Sequence, residues 1–366
     1  MAGLIDQIRR LLEEDSKKKT KKASATGKAY SVDEEVIHVG TESENAIRSS
    51  VIECVPTGLA DLDLIMAKDQ KGVYGLPTGK QLEISGSESV GKSTLVYHLI
   101  RAWQNYFGEK ALVHISETES SLDWHRMSAF GVNTEAVLWS QPEYIENGFG
   151  IWRKVLRWAT DLGARPLLIW DSIGMASAKA SMEADDSKSG GMIGEARAIA
   201  RGLRKITGVN GKAGGTIIWV NHLMANPNAM WGKKTTTPGG KKLRHACNVR
   251  LEMTRVGKAK DGEEDIGIIT SIQTVKNKLY RPNLRVDELP LYYESGFDPS
   301  KALLLALLRK EIAKKLPKGI IKFSVKDKEY ETRISAFDEF LYGKPKLARK
   351  LYRMATGAKG IDLWNS

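Results

Sequence analysis

Residues 86–93 read GSESVGKS and fit the pattern GxxxxGK(S/T) of a phosphate-binding loop. A strand is predicted before the motif at residues 81–85, and an amphipathic helix after it, from Ser93 to Trp103. Glycines let consecutive backbone N–H groups wrap phosphate oxygens at a helix N-terminus, where the helix dipole also favours an anion. A glycine-rich turn without a ligand is the alternative. We expect the phosphates of ATP to be bound by the following residues: Gly86, Ser87, Glu88, Ser89, Val90, Gly91, Lys92, Ser93 and Thr94.

Three side chains in and near this motif could supply charge and metal ligands. Lys92 is expected to contact the β- and γ-phosphates of ATP, and the Ser93 hydroxyl to ligate Mg²⁺. Asp171 follows a buried apolar run at residues 166–170, and ligands bind at the carboxyl ends of the strands in such sheets. We expect Asp171 to help hold the same Mg²⁺, although it could instead cap the following helix.

Two glutamates are candidates for the general base of ATP hydrolysis. Hydrolysis requires a carboxylate that orients and deprotonates the attacking water. Glu117 and Glu119 both come at the end of the apolar run at residues 111–116. Because residues i and i+2 share a face of a strand, spacing alone leaves both candidates open.

A pair of lysines could add positive charge to a phosphate site. Lys276 and Lys278 follow the alternating run IGIITSIQTV, so both are expected to point the same way from a strand. Two cations there could stabilise the charge that develops on a transferring phosphate, as an arginine finger does. The alternative is a solvated pair that protects an edge strand from aggregation.

Two segments have the composition of single-stranded DNA contacts. A Gly/Ser-rich loop at residues 181–191 leads into a helix whose Arg197, Arg201 and Arg204 share one face. The second segment, residues 224–242, is long, lacks periodicity and carries one aromatic residue and four lysines. Lysines give salt-sensitive affinity without sequence preference, and an aromatic ring can stack on bases. These residues are Trp231, Lys233, Lys234, Lys241 and Lys242; a merely solvated basic surface is the alternative.

The elements that must position these residues follow an α/β pattern. Apolar runs at residues 82–85, 111–116, 167–170 and 216–220 alternate with helical stretches. This pattern predicts a mostly parallel sheet covered by helices on both faces. We divide the chain into a short amphipathic N-terminal helix (1–15), a basic flexible linker that tethers subunits (16–50), a P-loop ATPase core (51–298) and a small C-terminal α/β domain (299–366). The N-terminal helix could dock on its own core or on a neighbouring subunit.

Net charge, apolar runs and cysteine content indicate what kind of protein this chain is. The net charge of +12 favours a polyanionic partner. The longest apolar run, residues 302–308, is far too short to cross a bilayer, and the N-terminus lacks the apolar stretch of a secretory signal. Two cysteines without a CxxC motif predict neither a disulfide framework nor a zinc site. We expect a soluble protein of the cytoplasm that has no membrane partner.

Taken together, these motifs closely resemble the RecA family of recombinases, from about residue 57 to residue 293 and more weakly in the C-terminal domain. The sequences TTTPGG (235–240) and VKNK (275–278) distinguish recombinases from other P-loop ATPases. The resemblance implies a RecA-type ATPase core, with Glu119 as the general base and Asp123 as a contact of the adenine. It also implies that Lys276 and Lys278 reach the γ-phosphate of the neighbouring subunit, that Met192 is a wedge between bases, and that Arg197 contacts a DNA phosphate.

The chain departs from the family's pattern at two positions of the nucleotide site. Asn221 is followed by His222, where bacterial members have a glutamine that senses the γ-phosphate. This dipeptide resembles phage recombinases of the UvsX kind, and a histidine can still donate a hydrogen bond to phosphate. The aromatic residue that usually stacks on adenine is replaced by Arg126, so a guanidinium is expected to hold the base.

The resemblance implies an ATP-dependent DNA recombinase with ATP and Mg²⁺ as cofactors. It would form a helical filament on single-stranded DNA, pair it with homologous duplex DNA and exchange strands. A single-strand-binding protein or a loader would be a further partner, in the cytoplasm of a bacterial or phage-infected cell. A hexameric replicative helicase and a catalytically silent recombination mediator are the alternatives. The roughly fifty residues before the core are few for the assembly domain of such a helicase.

Overall fold

The structure is a computed structural model that describes residues 3–8, 10–11, 53–179, 191–225 and 235–359. Within these residues, a large central sheet has the strand order β13-β12-β11-β10-β3-β7-β6-β4-β5. Strands β10, β3, β7, β6, β4 and β5 run parallel to one another, and β11 to β13 extend the sheet in antiparallel fashion. The strands are β3 (Gln81–Gly86), β4 (Ala111–Glu117), β5 (Val137–Ser140), β6 (Arg165–Asp171), β7 (Thr216–His222), β10 (Val249–Asp261), β11 (Glu264–Asn277), β12 (Arg285–Tyr292) and β13 (Gly296–Phe297).

Helices cover both faces of the sheet, as the alternating apolar runs predict. One hydrophobic cluster joins the sheet to α1 and α2, and a second joins its other face to α4, α5 and α6. The helices of this part are α1 (Ala60–Met66), α2 (Lys92–Phe107), α3 (Trp124–Ala129), α4 (Ile145–Asp161), α5 (Gly191–Ala213) and α6 (Gly240–Ala246). The predicted mostly parallel, two-sided α/β core is confirmed.

Shorter elements connect these layers. Two antiparallel pairs of two-residue strands are formed by β1 (Cys54–Val55) with β2 (Leu76–Pro77), and by β8 (Met224–Ala225) with β9 (Thr235–Thr236). Single 3₁₀ turns lie at Gly108–Lys110, Thr134–Ala136, Ile173–Met175, Pro317–Gly319 and Ile334–Ala336.

The C-terminal part is a small α/β unit built on a three-stranded antiparallel sheet. Its elements are α7 (Pro299–Arg309), β14 (Ala313–Leu316), β15 (Ile320–Val325), β16 (Lys328–Arg333), α8 (Phe337–Tyr342) and α9 (Pro345–Thr356). Helix α7 begins with Pro299 after Asp298, whose carboxylate accepts the Lys301 N–H at 2.8 Å, and both residues favour a helix start. The Tyr352 hydroxyl accepts the Gly58 N–H at 3.1 Å and so links α9 to the entry of the core.

The N-terminal segment is helical at residues 3–8 and 10–11. Ile8 is fully buried in the cluster that α4 and α5 form with the sheet, and Leu4 packs against the same cluster. Of the two predicted docking places, the structure thus shows the chain's own core. The predicted linker at residues 16–50 lies outside the described residues. Among the residues that are described, none of the helices combines the length and the apolar character needed to cross a membrane.

Candidate nucleotide-binding site

The phosphate-binding motif joins the end of β3 to the start of α2. Gly91 has φ +91°, and a Cβ at this position would lie only 2.2 Å from Leu291 Cδ2. Both the conformation and the space therefore require glycine at the residue before the helix. The N-terminus of α2 opens onto a pocket of about 550 Å³.

The pocket gathers side chains from distant parts of the chain. Its lining comes from the motif, from the carboxyl ends of β6 and β7, from the segment after β4, and from the antiparallel strands β10 to β12. The lining residues are Glu88, Ser89, Gly91, Lys92, Ser93, Thr94, Glu119, Arg126, Asp171, His222, Arg255, Ile268, Leu291 and Tyr293.

Lys92 is the buried cation at the phosphate end of this pocket. Its ammonium donates to the Ser87 carbonyl at 2.7 Å and to the Gly86 carbonyl at 3.2 Å. Burial lowers the pKa of Lys92, although the carboxylates of Asp171 and Glu119 oppose this shift. The carbonyls hold the ammonium at the mouth of the loop, where phosphate oxygens could replace them as acceptors.

The side-chain oxygens of Ser93 and Asp171 lie together in the pocket that Lys92 also lines. The Ser93 hydroxyl donates to Asp171 Oδ2 at 3.3 Å. Burial raises the pKa of Asp171 to about 6, and the nearby charge of Glu119 adds to the shift. A cation bound beside Asp171, in addition to Lys92, would reduce the repulsion between the negative charges of Asp171 and Glu119. A hydroxyl and a carboxylate at the end of a strand fit the hard oxygen ligands that Mg²⁺ prefers.

The two candidate bases have different surroundings. Strand β4 ends at Glu117, so Glu119 lies beyond it and the two do not share a strand face as expected. Glu117 is buried, and its Oε1 accepts the N–H groups of Glu119 at 2.7 Å and Ser121 at 3.0 Å. Its Oε2 accepts the Gln141 amide at 3.1 Å, so both oxygens are occupied in shaping the turn. Glu119 instead lines the pocket.

Glu119 is held by two partners from neighbouring strand ends. Its Oε1 accepts the Ser172 hydroxyl and lies 2.7 Å from His222 Nε2. Burial raises the pKa of Glu119, but the hydrogen bonds from Ser172 and His222 outweigh burial and leave the pKa below its usual value. The other ring nitrogen of His222, Nδ1, lies 3.5 Å from Lys92 Nζ. His222 therefore contacts both Lys92 and Glu119, two residues before the second candidate DNA segment begins.

The pocket also contains one residue that was predicted to hold the adenine, and two polar residues that were not predicted. Arg126 lines it, and its guanidinium lies 5.4 Å from the centre of the Phe130 ring. Asp123 does not line it; its carboxylate accepts the Arg126 N–H at 2.9 Å and caps α3. Tyr293, with 51% of its surface exposed, and Arg255 line the pocket unpredicted. The Tyr292-Tyr293 doublet at the end of an alternating run was the available signal.

The two lysines of VKNK lie away from this subunit's pocket. Lys276 in β11 donates to the carbonyls of Arg244 at 2.5 Å and His245 at 3.2 Å, at the end of α6. Burial, together with the nearby Lys278, lowers the pKa of Lys276. Strand β11 ends at Asn277, so the exposed Lys278 lies just beyond the strand that was expected to hold both. Neither lysine lines the pocket of its own subunit.

The candidate DNA residues are described in part. On α5, Arg197, Arg201 and Arg204 are exposed on one face, as predicted. Ile199, Leu203 and Ile206 on the other face are buried. Lys241 and Lys242 are exposed in the first turn of α6. The side chain of Met192 and the residues Trp231, Lys233 and Lys234 lie outside the described part of the chain.

Comparisons with known proteins agree with the geometry. A family model described as the RecA N-terminal domain matches residues 24–298. Protein RecA of Kineococcus radiotolerans is 34% identical over 254 residues, which cover 69% of this chain and 69% of that protein. Protein RecA of Campylobacter jejuni is 31% identical over 313 residues, 85% of this chain and 86% of that protein. Protein RecA of Bdellovibrio bacteriovorus is 31% identical over 352 residues, 95% of this chain and 88% of that protein.

Proposed function

This chain belongs to the RecA family of ATP-dependent recombinases, and we propose that its pocket hydrolyses ATP when the protein is bound to single-stranded DNA. The observation that carries the proposal is the contact of His222 with both Glu119 and Lys92. This contact joins the phosphate end of the pocket to the start of the second DNA segment, so occupancy of one site can influence the other.

Each part of ATP has a set of residues to receive it. The phosphates are bound by the motif from Gly86 to Thr94, with Lys92 at the β- and γ-phosphates. Ser93 and Asp171 would hold Mg²⁺, which neutralises charge on the β- and γ-phosphates when bound. The adenine base lies toward Arg126 and Tyr293. The guanidinium of Arg126 and the exposed ring of Tyr293 can both stack on a planar group. The lining of the pocket includes Lys92, Ser93, Asp171, Arg126 and Tyr293, which supports the proposal that one pocket receives all these parts of ATP.

Glu119 acts as the general base in this proposal. At neutral pH it is ionised, since its hydrogen bonds lower its pKa. The carboxylate orients the attacking water and accepts its proton, while Lys92 stabilises the charge that develops on the γ-phosphate. The ring of His222 donates a hydrogen bond to the γ-phosphate. Binding of the γ-phosphate can thereby change the position of the second DNA segment, which follows His222 in the chain. The occupied oxygens of Glu117 support Glu119 over Glu117.

The remaining residues require a second subunit and DNA. We propose that Lys276 and Lys278 complete the pocket of a neighbouring subunit in a helical filament, since they do not line their own. Arg197, Lys241 and Lys242 contact DNA phosphates, as do Lys233 and Lys234 from outside the described residues. Met192 inserts between bases, and Trp231, also outside the described residues, stacks on a base. Homologous duplex DNA is the second substrate. The domain boundaries, a loader or single-strand-binding partner and a cytoplasmic location stay predictions.

The rate of ATP hydrolysis with and without single-stranded DNA, at low and high salt, tests this proposal. We expect strong stimulation by DNA that is lost at high salt, because lysine–phosphate contacts weaken as counterions compete. A rate that is indifferent to DNA at both salt concentrations would contradict coupling between the two sites. No contact among the described residues favours the helicase or the silent mediator.

A further inference from the structure

Glu83 is a buried carboxylate that the proposed ATPase mechanism does not use. It lies in the central strand β3, where its side chain is fully buried on the face opposite to Leu82 and Ile84. Both of its oxygens are occupied: Oε1 accepts Asn221 Nδ2 at 2.9 Å, and Oε2 accepts Nε of Arg250. A buried carboxylate is costly unless it is paired and hydrogen-bonded in this way. Glu83 does not line the nucleotide pocket.

Asn221, the partner of Glu83 on β7, contacts the chain just before the second DNA segment and again in the part of that segment that returns to the core. Its Oδ1 accepts the N–H of His222 at 3.1 Å, at the residue where the segment leaves β7. Its Nδ2 donates to the carbonyl of Pro238 at 3.1 Å, where the chain returns. A single side chain thus connects the start and the return of a long connection, and Glu83 fixes the orientation of its amide.

Arg250, the partner of Glu83 on β10, makes a second contact with the returning chain. While its Nε donates to Glu83, its Nη2 donates to the Thr237 hydroxyl at 3.2 Å. Thr237 is buried, and it directly precedes Pro238. The planar guanidinium can serve both acceptors at once because its donors have a fixed fork geometry.

We infer that the Glu83–Arg250 pair is a positioning unit that holds the return of the second DNA segment in register with His222. The inference rests on the proposed function, in which His222 responds to ATP and the segment binds DNA. The pair contacts neither ligand and acts through Asn221 and Thr237. Coupling between two sites needs an element whose arrangement both sites bias. The contacts of Asn221 and Arg250 tie Thr237 and Pro238 to His222, and loosening them would uncouple the return of the chain from His222.

The substitution Arg250→Lys tests this unit with little change of charge. Lysine keeps a cation beside Glu83, but its single ammonium cannot reproduce the two-pronged contact with Glu83 and Thr237. The readout is the dissociation constant for single-stranded DNA, measured with and without Mg²⁺ and a slowly hydrolysed ATP analogue. We expect the ratio of the dissociation constant without the analogue to the constant with it to fall about tenfold. This loss lies within the usual range of coupling between sites. Affinity for the analogue without DNA should change less than about twofold, because the pocket is untouched.

A matched control separates positioning from general stability. Asp61 and Arg309 form a similar pair, with a buried carboxylate and a partly exposed guanidinium, on α1 and α7. The substitutions Glu83→Gln and Asp61→Asn should both lower the thermal midpoint, whereas only Glu83→Gln should lower the ratio of DNA affinities. Equal loss of the ratio in both variants, or an unchanged ratio in Arg250→Lys, would overturn the inference alone. A ratio of one in the unaltered protein would overturn the proposed function together with it.

Discussion

Replacing Glu119 by glutamine removes the charge of the candidate base and keeps its size. The amide oxygen can still accept hydrogen bonds from Ser172 and His222, so the pocket should keep its shape. Lys92, which we propose binds the phosphates, is unaltered and lies on a different element. We therefore expect ATP to bind with an affinity within about threefold of the unaltered protein, because only an interaction of the transition state is lost.

The expected loss of turnover is large. A general base contributes about 10²–10⁴-fold to the rate, which corresponds to about 3–5 kcal/mol of activation free energy. The hydrogen bonds to Glu119 lower its pKa, so its carboxylate is ionised at neutral pH but only weakly basic. A weak base gains less from accepting a proton than a strong one, which favours the lower half of that range.

Phosphate release at saturating ATP and single-stranded DNA measures this loss, with Glu117→Gln as the control. Glutamine at 117 places an amide nitrogen near groups that already donate hydrogen bonds, from Glu119, Ser121 and Gln141. A buried donor without an acceptor should lower the free energy of unfolding by about 1–3 kcal/mol, with a smaller loss of turnover. Normal turnover in Glu119→Gln, together with its loss in Glu117→Gln, would refute the assignment of the base.

Three further predictions follow from the burial or exposure of other side chains. Burial lowers the pKa of His114 to about 3. The unfolded chain therefore binds a proton near pH 6.5 that the folded protein does not, and stability falls as the pH falls through 6.5, by about 1.4 kcal/mol per unit. In urea unfolding at pH 7 and pH 5, His114→Leu should remove about 2 kcal/mol of that loss; equal losses in both proteins would count against it. The double variant of Lys276→Ala and Lys278→Ala should lose DNA-stimulated hydrolysis and regain part of it when mixed with the glutamine variant of the general base, because adjacent subunits would share a pocket. A mixture as inactive as its components would speak against shared pockets. The double variant of Lys241→Ala and Lys242→Ala should reduce the slope of log affinity for single-stranded DNA against log salt by up to about 1.4, since each lost phosphate contact removes about 0.7; an unchanged slope would place these lysines off the DNA path.

Local patterns predicted much of the core. The apolar runs at residues 111–116, 167–170 and 216–220 lie within β4, β6 and β7. Residues 82–85, predicted as a similar run although Glu83 interrupts it, lie within β3. These strands are buried on both faces, and such strands read as continuous apolar runs. The antiparallel extension by β12 and β13 was not foreseen, because strand order depends on pairings between residues far apart in sequence.

Local patterns likewise predicted some residues of the candidate site and missed others. Lys92 and Ser93 were found because a motif of eight residues contains the chemistry of the loop. The contact between His222 and Glu119 spans 103 residues of sequence, and no local pattern indicates it. Arg255 is brought to the pocket by a long antiparallel hairpin, so its type and spacing gave no signal.

The pattern around Glu83 indicated a polar contact, but only the fold shows which residues make it. Glu83 is a charged residue inside a strand that is otherwise apolar on one face and polar on the other, as in Gln81-Leu82-Glu83-Ile84-Ser85. This alternation indicates a strand with a polar partner on one face. The partners are Arg250 and Asn221, which come from two strands that lie on opposite sides of β3.

The most direct test of the central claim is DNA strand exchange between a single strand and a labelled duplex. The reaction is followed with a homologous duplex and with a duplex of unrelated sequence, in the presence of ATP and Mg²⁺ and in the absence of ATP. We expect ATP-dependent release of the labelled strand from the homologous duplex alone, because sequence is recognised by base pairing and the protein contacts chiefly phosphates. Equal release from both duplexes, or release that does not require ATP, would contradict it.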